Sequence, residues 1–218
     1  MTQAKKTIDV SAVLGVIGYC EDTPTETLLE KPFSFEADFL PQAQSSHHVH
    51  PNQDERYKIL RGTLDLFVED GWHKLGSGQS ITIPKGTVHA FRNSTNETVR
   101  AINTHDPGLR FRESLEVMER LIQEGKVTGM NGPKNGIYLS LHTVEYEDLL
   151  VTARPHYRLV RLVARIGELL GYGIGPPSPN GGLEEPAARE DEHRLRFFGA
   201  PGDLVAVSVP AIFVTLVL

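Results

Sequence analysis

Nine histidines and a single cysteine stand in this 218-residue chain, and three of the histidines fall where they can act together. His48-Val49-His50 lies in a run that reads as a strand. Residues two apart on a strand face the same side, so both imidazoles can reach one ion. Glu55 begins the next extended run, which continues from Tyr57 to Leu60, and His89 follows the turn Pro84-Lys85-Gly86. Three neutral imidazoles and one carboxylate make a borderline-hard donor set suited to Fe(II), Mn(II), Ni(II), Zn(II) or Cu(II). Cys20 alone cannot form an internal disulfide framework or a thiolate zinc motif, so any metal chemistry here uses nitrogen and oxygen.

These donors need elements that bring them together. Residues 33 to 105 alternate short β-like runs with turn signals, the pattern of a sandwich or barrel, and a barrel can converge the donors on its interior. Phe33-Ser34-Phe35 alternates apolar and polar. Leu64 to Val68 and Trp72 to Leu75 flank Glu69-Asp70-Gly71, where Asp-Gly predicts a tight hairpin turn. Ser80 to Ile83, Val88 to Arg92 and Val99 to Thr104 complete the set. After Asp106-Pro107 the period becomes helical: Phe111, Leu115, Met118 and Ile122 share a face, and Gly125 ends that helix. The loop 128–136 leads to a second expected helix over 137–151. Pro155 precedes a third, with Leu159, Leu162, Val163, Ile166, Leu169 and Leu170 on one face and Gly171-Tyr172-Gly173 stopping it.

The same residues carry a family pattern. The stretch resembles the cupin superfamily, whose first motif runs Gly-x5-His-x-His-x3–4-Glu-x6-Gly and whose second runs Gly-x5-Pro-x-Gly-x2-His-x3-Asn. His48, His50, Glu55 and Gly62 match the first, and Gly78, Pro84, Gly86, His89 and Asn93 match the second at every spacing. One departure stands out: Gln42 occupies the place of the first motif's leading glycine, a turn residue, which puts local backbone shape in question rather than metal binding. The pattern His-x-His-Pro-x-Gln-x-Glu, met here with Pro51 and Gln53, and the helical segment 107–171 look like a subset of single-barrel cupins with a C-terminal extension. The resemblance implies a mainly β chain, a jelly-roll (double-stranded β-helix) barrel bearing an α-helical extension. It also implies one divalent metal ion with His48, His50, Glu55 and His89 as ligands. It names no substrate.

The expected organisation is an N-terminal strand or arm (1–29), the barrel (30–106), the helical extension (107–172), a linker (173–193) and an apolar tail of buried strands (194–218). By strand alternation Tyr57 and Ile59 share the face of Glu55. With Phe91, Ile81 and Ile83 they form the expected cavity lining. Glu55 and Tyr57 are the candidate catalytic groups, Glu55 as a base if it leaves the metal and Tyr57 as a proton donor. His105 reads as a rim histidine, with a supporting place behind the ligands as its alternative. His47 is out of phase with the pair and should point away. His73, His142, His156 and His193 read as surface or helix residues, and Asn93 as a turn former.

With 22 Lys and Arg against 28 Asp and Glu, the net charge of −6 excludes a general nucleic-acid binder. The apolar stretch 10–19 follows Asp9 and precedes Glu21-Asp22, which argues against a secretion leader and for a cytoplasmic chain. Arg154, Arg158, Arg161 and Arg165 make the third helix basic and amphipathic. Packing on its own domain or on a second copy is the favoured reading over membrane contact by helix 156–171 or by the tail. The function expected is a metal-dependent enzyme acting on a small hydrophobic or aromatic molecule, an oxygenase or a Lewis-acid isomerase, cyclase or lyase. The rival is a non-catalytic ligand-binding or sensor cupin. A homodimer is expected, with the tail or the helical extension at the interface.

Overall fold

A computed structural model describes residues 5–176. The N-terminal part forms β1 (Lys6–Asp9), α1 (Ser11–Leu14), β2 (Val16–Cys20) and α2 (Thr25–Leu28). Next come β3 (Phe33–Phe39), β4 (His48–Val49), β5 (Asp54–Arg61), β6 (Thr63–Val68) and β7 (Gly71–Gly76). Strands β8 (Ser80–Ile83), β9 (His89–Arg92) and β10 (Val99–Asp106) follow. The chain then builds α3 (Phe111–Gln123), α4 (Pro133–Glu145), β11 (Val151–Thr152) and α5 (Tyr157–Leu169).

The strands form two antiparallel sheets, ordered β1-β2-β3-β10-β5-β8 and β11-β4-β9-β6-β7. The fold is mainly β with a helical extension. Alternation decides what points inward. Glu55, Tyr57 and Ile59 of β5 are buried while Arg56, Lys58 and Leu60 are exposed, and β10 buries Val99, Ala101, Asn103 and His105. Opposite β10, β3 turns Phe33, Phe35, Ala37 and Phe39 inward. This inner face shares one core with Leu64, Leu66 and Phe91 of the smaller sheet.

Residues 6–20 add two strands to the larger sheet, with β2 paired to β3 from Val16↔Phe39 to Tyr19↔Glu36. The link between β1 and β2 depends on Gly15. Its φ is 69°, and a Cβ there would stand 2.6 Å from Ala43 Cα. Gln42 adopts the same left-handed backbone, φ 67°, so the leading-glycine place keeps its turn shape with a strained side-chain-bearing residue. The β6–β7 turn is Glu69-Asp70, and Gly71 already belongs to β7, paired with Val68. The left-handed residue there is Glu69, φ 58°.

The helical region departs from the expected limits. Its second helix begins at Pro133, because proline suits a first turn whose N–H groups have no helical acceptor. It ends at Glu145, and Val151, the last residue of the expected helix, opens β11 instead. There Val151 and Thr152 pair with Val49 and His48, so this segment edges the strand that carries His48. In α5 the buried side is Val160, Ala164 and Gly167. A Cβ on Gly167 would sit 2.5 Å from Ile137 Cγ2 on α4, so small residues set this close contact. Leu162 (54% exposed), Ile166 (40%) and Leu169 (87%), from the face expected to pack, lie outside.

The start of the expected linker is held in place: Arg120 donates to the carbonyls of Ile174 at 2.7 Å and Pro176 at 3.2 Å. The rest of the linker, His193 and the apolar tail 194–218 lie outside the described residues. Among those described, no helix is long and apolar enough to cross a membrane.

Candidate metal centre

The smaller sheet brings two imidazoles together, one ring edge toward the other. His48 of β4 pairs directly with His89 of β9, and their ring centroids are 4.2 Å apart. His50, two residues on, keeps to the same side, its ring 5.0 Å from His48 and 5.1 Å from His89. Glu55 arrives from the larger sheet. Each of these four buried residues offers a donor atom, and the four atoms lie within 4.8 Å of one another.

Every ring of this trio is anchored through Nδ1 to a main-chain carbonyl. His48 bonds Ser46 O at 2.8 Å, His89 bonds Thr87 O at 2.9 Å, and His50 bonds Leu149 O at 2.6 Å. A carbonyl only accepts, so a neutral ring there carries its hydrogen on Nδ1 and keeps the Nε2 lone pair. Glu55 Oε2 lies 2.8 Å from His89 Nε2 and 3.6 Å from His50 Nε2. Both Oε2 and His89 Nε2 are buried without an aligned hydrogen bond. Such lone pairs, fixed from behind and left unpartnered in front, fit a divalent ion held by nitrogen and oxygen.

Electrostatics follow from burial and these neighbours. Burial drives the His48 pKa well below the usual imidazole value, helped by His89 and His50, and burial also lowers that of His50. Burial would lower His89 too, but the Glu55 carboxylate outweighs it and raises that ring. Burial pushes Glu55 up, yet His89, His105 and His50 together hold it well below the usual carboxylate range. Tyr57 is raised well above the ordinary phenol value by burial and then by the charge of Glu55.

Three of the four, His48, His50 and Glu55, line a cavity of about 130 Å³. Tyr57 and Phe91 line it as expected; Ile59, Ile81 and Ile83 do not. The walls that sequence reasoning missed come from Ile8, Val10 and Val16 at the N-terminus, Phe111 and Leu115 of α3, and Leu150. Among the described residues, no Lys or Arg lines it. Gln53 helps place α3: buried, it donates to the carbonyls of Pro107 (2.7 Å) and Gly108 (2.9 Å), just before the helix.

Residues 35–105 match the family model described as a cupin domain. Those residues, about a third of the chain, form a cupin domain. It is 31% identical to Protein SchB of Streptomyces halstedii over 80 residues, covering 37% of this chain and 58% of that protein. It is 36% identical to an uncharacterized protein of Aquifex aeolicus over 52 residues, covering 24% of this chain and 43% of that one. The chain thus spans about half the length of the curated relatives it matches. Among solved structures, a predicted oxalate decarboxylase from Thermotoga maritima superposes with a TM-score of 0.41 at 16% identity, covering 48% of this chain and 93% of that one.

The other histidines fall in distinct places. His47 points away from the cluster and packs edge-on against Phe67, ring centroids 4.6 Å apart. His142 lies between α3 and α4, with Nε2 2.9 Å from Ser114 O, rather than on the surface. His156 caps the start of α5. Asn93 is a buried turn former, donating to the carbonyls of Phe39, Leu40 and Glu97. His105 is not a rim residue. It is fully buried, 3.5 Å from Glu55 Oε1, and stacks on Phe111 with centroids 3.5 Å apart. Asn103, which the sequence did not single out, joins the two: its amide donates to Glu55 Oε1 at 2.8 Å. The alternation of β10 opposite β5 was the only signal for this pair, since both residues share the inward face.

Proposed function

We propose that this cupin is a metal-dependent enzyme acting on a small uncharged organic molecule with an aromatic or otherwise apolar body. The observation that carries the reading is the convergence of three backbone-anchored imidazoles and a carboxylate, of which His48, His50 and Glu55 line an apolar cavity that no described Lys or Arg reaches. His48, His50, Glu55 and His89 would hold the ion. Once bound, it would supply Lewis-acid polarisation of a carbonyl or enol oxygen or, as Fe(II), dioxygen chemistry.

The chain's own residues select the substrate. Phe39, Phe91, Phe111 and Leu115 favour an apolar body, whereas a charged group would lose its hydration with no cationic side chain to meet it. The volume of about 130 Å³ is close to the ~150 Å³ apolar cavity that holds a benzene ring, so a single ring fits better than a fused system. Tyr57 keeps its proton at neutral pH and can donate it; Glu55 can only accept.

Oxygen uptake with Fe(II) and product analysis with Zn(II), across single-ring phenols, enols and diketones and their carboxylated analogues, test this reading. Saturable turnover of neutral single-ring compounds supports it. Preference for the anionic analogues would sink it, and saturable binding without turnover would favour the sensor reading. A homodimer belongs to the same proposal, with the exposed Leu162, Ile166 and Leu169 of α5 as its apolar contact. Leu162→Glu should then halve the mass in solution.

A further inference from the structure

The two oxygens of Glu55 have different partners, and the difference is built into the larger sheet. Oε2 faces His89 and His50, while Oε1 accepts the Asn103 Nδ2 hydrogen at 2.8 Å. The Asn103 amide is thus oriented with its nitrogen, the donor end, toward the accepting carboxylate. Its Oδ1 then lies 2.8 Å from His105 Nε2, which must carry the hydrogen of that bond. His105 is fixed in turn by the ring of Phe111 stacked on its face.

Strand pairing places these groups without help from loops. Asn103 lies opposite Tyr57 and His105 opposite Glu55, so the three polar groups share the inward face of two neighbouring strands. The bonds run one way, from His105 N–H to the Asn103 carbonyl and from the Asn103 amide to Glu55. Turning the Glu55 carboxylate away would leave the buried Asn103 amide without this acceptor, which burial penalises.

We propose that Asn103 and His105 are positioning residues that reserve Glu55 Oε2 for the metal and keep this carboxylate from leaving the ligand set to act as a base. The proposal rests on the metal-site reading above and goes beyond it by deciding between the two roles open to Glu55. Tyr57 then remains the cavity's proton-handling group.

Competition titration of the full chain with Zn(II) against a chromophoric chelator tests it, alongside the thermal midpoint of each metal-free variant. Removing such an outer partner weakens metal binding by about 10–100-fold, and that loss is expected for Asn103→Leu. His105→Phe, which keeps the stacking but not the donor, should lose less, roughly 3–10-fold, and His105→Gln, which restores an N–H donor, should stay within about threefold of the parent. A purely structural role would lower the metal-free midpoint and leave the Zn(II) affinity of the folded protein unchanged. Parent-like Zn(II) affinity in folded Asn103→Leu overturns the proposal. If that variant does not fold, parent-like affinity in His105→Phe does so. A parent chain that takes up no Zn(II) fails the metal-site reading and this proposal together, whereas a parent that binds beside variants that bind equally well fails this proposal alone.

Discussion

The two sheets fix their donors by different means. The smaller sheet holds His48 and His89 through carbonyls two residues earlier in the chain, Ser46 and Thr87. The larger sheet holds Glu55 through a side-chain amide 48 residues away. A local anchor needs only the strand and the turn before it. A remote one needs the register of β5 against β10, and it orients one oxygen rather than a whole ring. Rigid nitrogen donors on one side and an oriented oxygen on the other are what a small ion demands.

The most disruptive test removes a donor from the locally anchored side. His89→Ala is expected to cost metal affinity about a thousandfold or more, because a three-donor remnant with an uncompensated Glu55 remains. Calorimetric titration with Zn(II) checks this, and a loss below tenfold would show that the smaller sheet does not dominate binding. Tyr57→Phe probes the other side without touching a ligand. Turnover should fall by about 10²-fold, within the range of general acid–base catalysis, at unchanged metal affinity. A parallel fall in metal affinity would place Tyr57 in the binding set instead.

How much of this was legible in the sequence follows the same division. His48, His50, Glu55 and His89 could be nominated because strand alternation and the turns before them are local. Asn103 and His105 could not be paired with Glu55, since nothing near them in sequence states which strand lies alongside. The cavity walls show the same limit. Tyr57 and Phe91 follow from alternation, but Ile8, Val16 and Phe111 reach the cavity only through the packing of separate segments. In α5 the apolar stripe was plain, yet Ala164 and Gly167 allow the closer contact with α4, so the larger residues stay outside.

His142 offers a backbone-anchored imidazole with no cluster around it, which isolates the anchoring device. Burial lowers its pKa from 6.5 to about 4. The unfolded chain therefore takes up the proton first as the pH falls, so stability is full above about 6.5, declines toward about 4 and is flat below. With the ring half-buried, a loss of about 2 kcal/mol is expected across that window, and His142→Gln should remove it. Urea denaturation at several pH values measures the difference; an equal slope in both proteins would contradict it. The smallest effect concerns Gln42, held at φ 67°. Gln42→Gly should stabilise the fold by up to about 1 kcal/mol, relief of left-handed strain outweighing the entropy of the freer unfolded chain, and should leave metal affinity unchanged. The denaturation midpoint reads this directly.

The convergence of the two sheets on one ion is tested most directly by elemental analysis of protein purified without chelators or immobilised nickel, beside His89→Ala prepared in the same way. About one equivalent of a divalent transition metal per chain is expected in the parent, or after addition of Fe(II), Mn(II), Ni(II), Zn(II) or Cu(II), and little in the variant. A parent chain that carries none and takes up none of these ions, or a variant that retains as much as the parent, would contradict it.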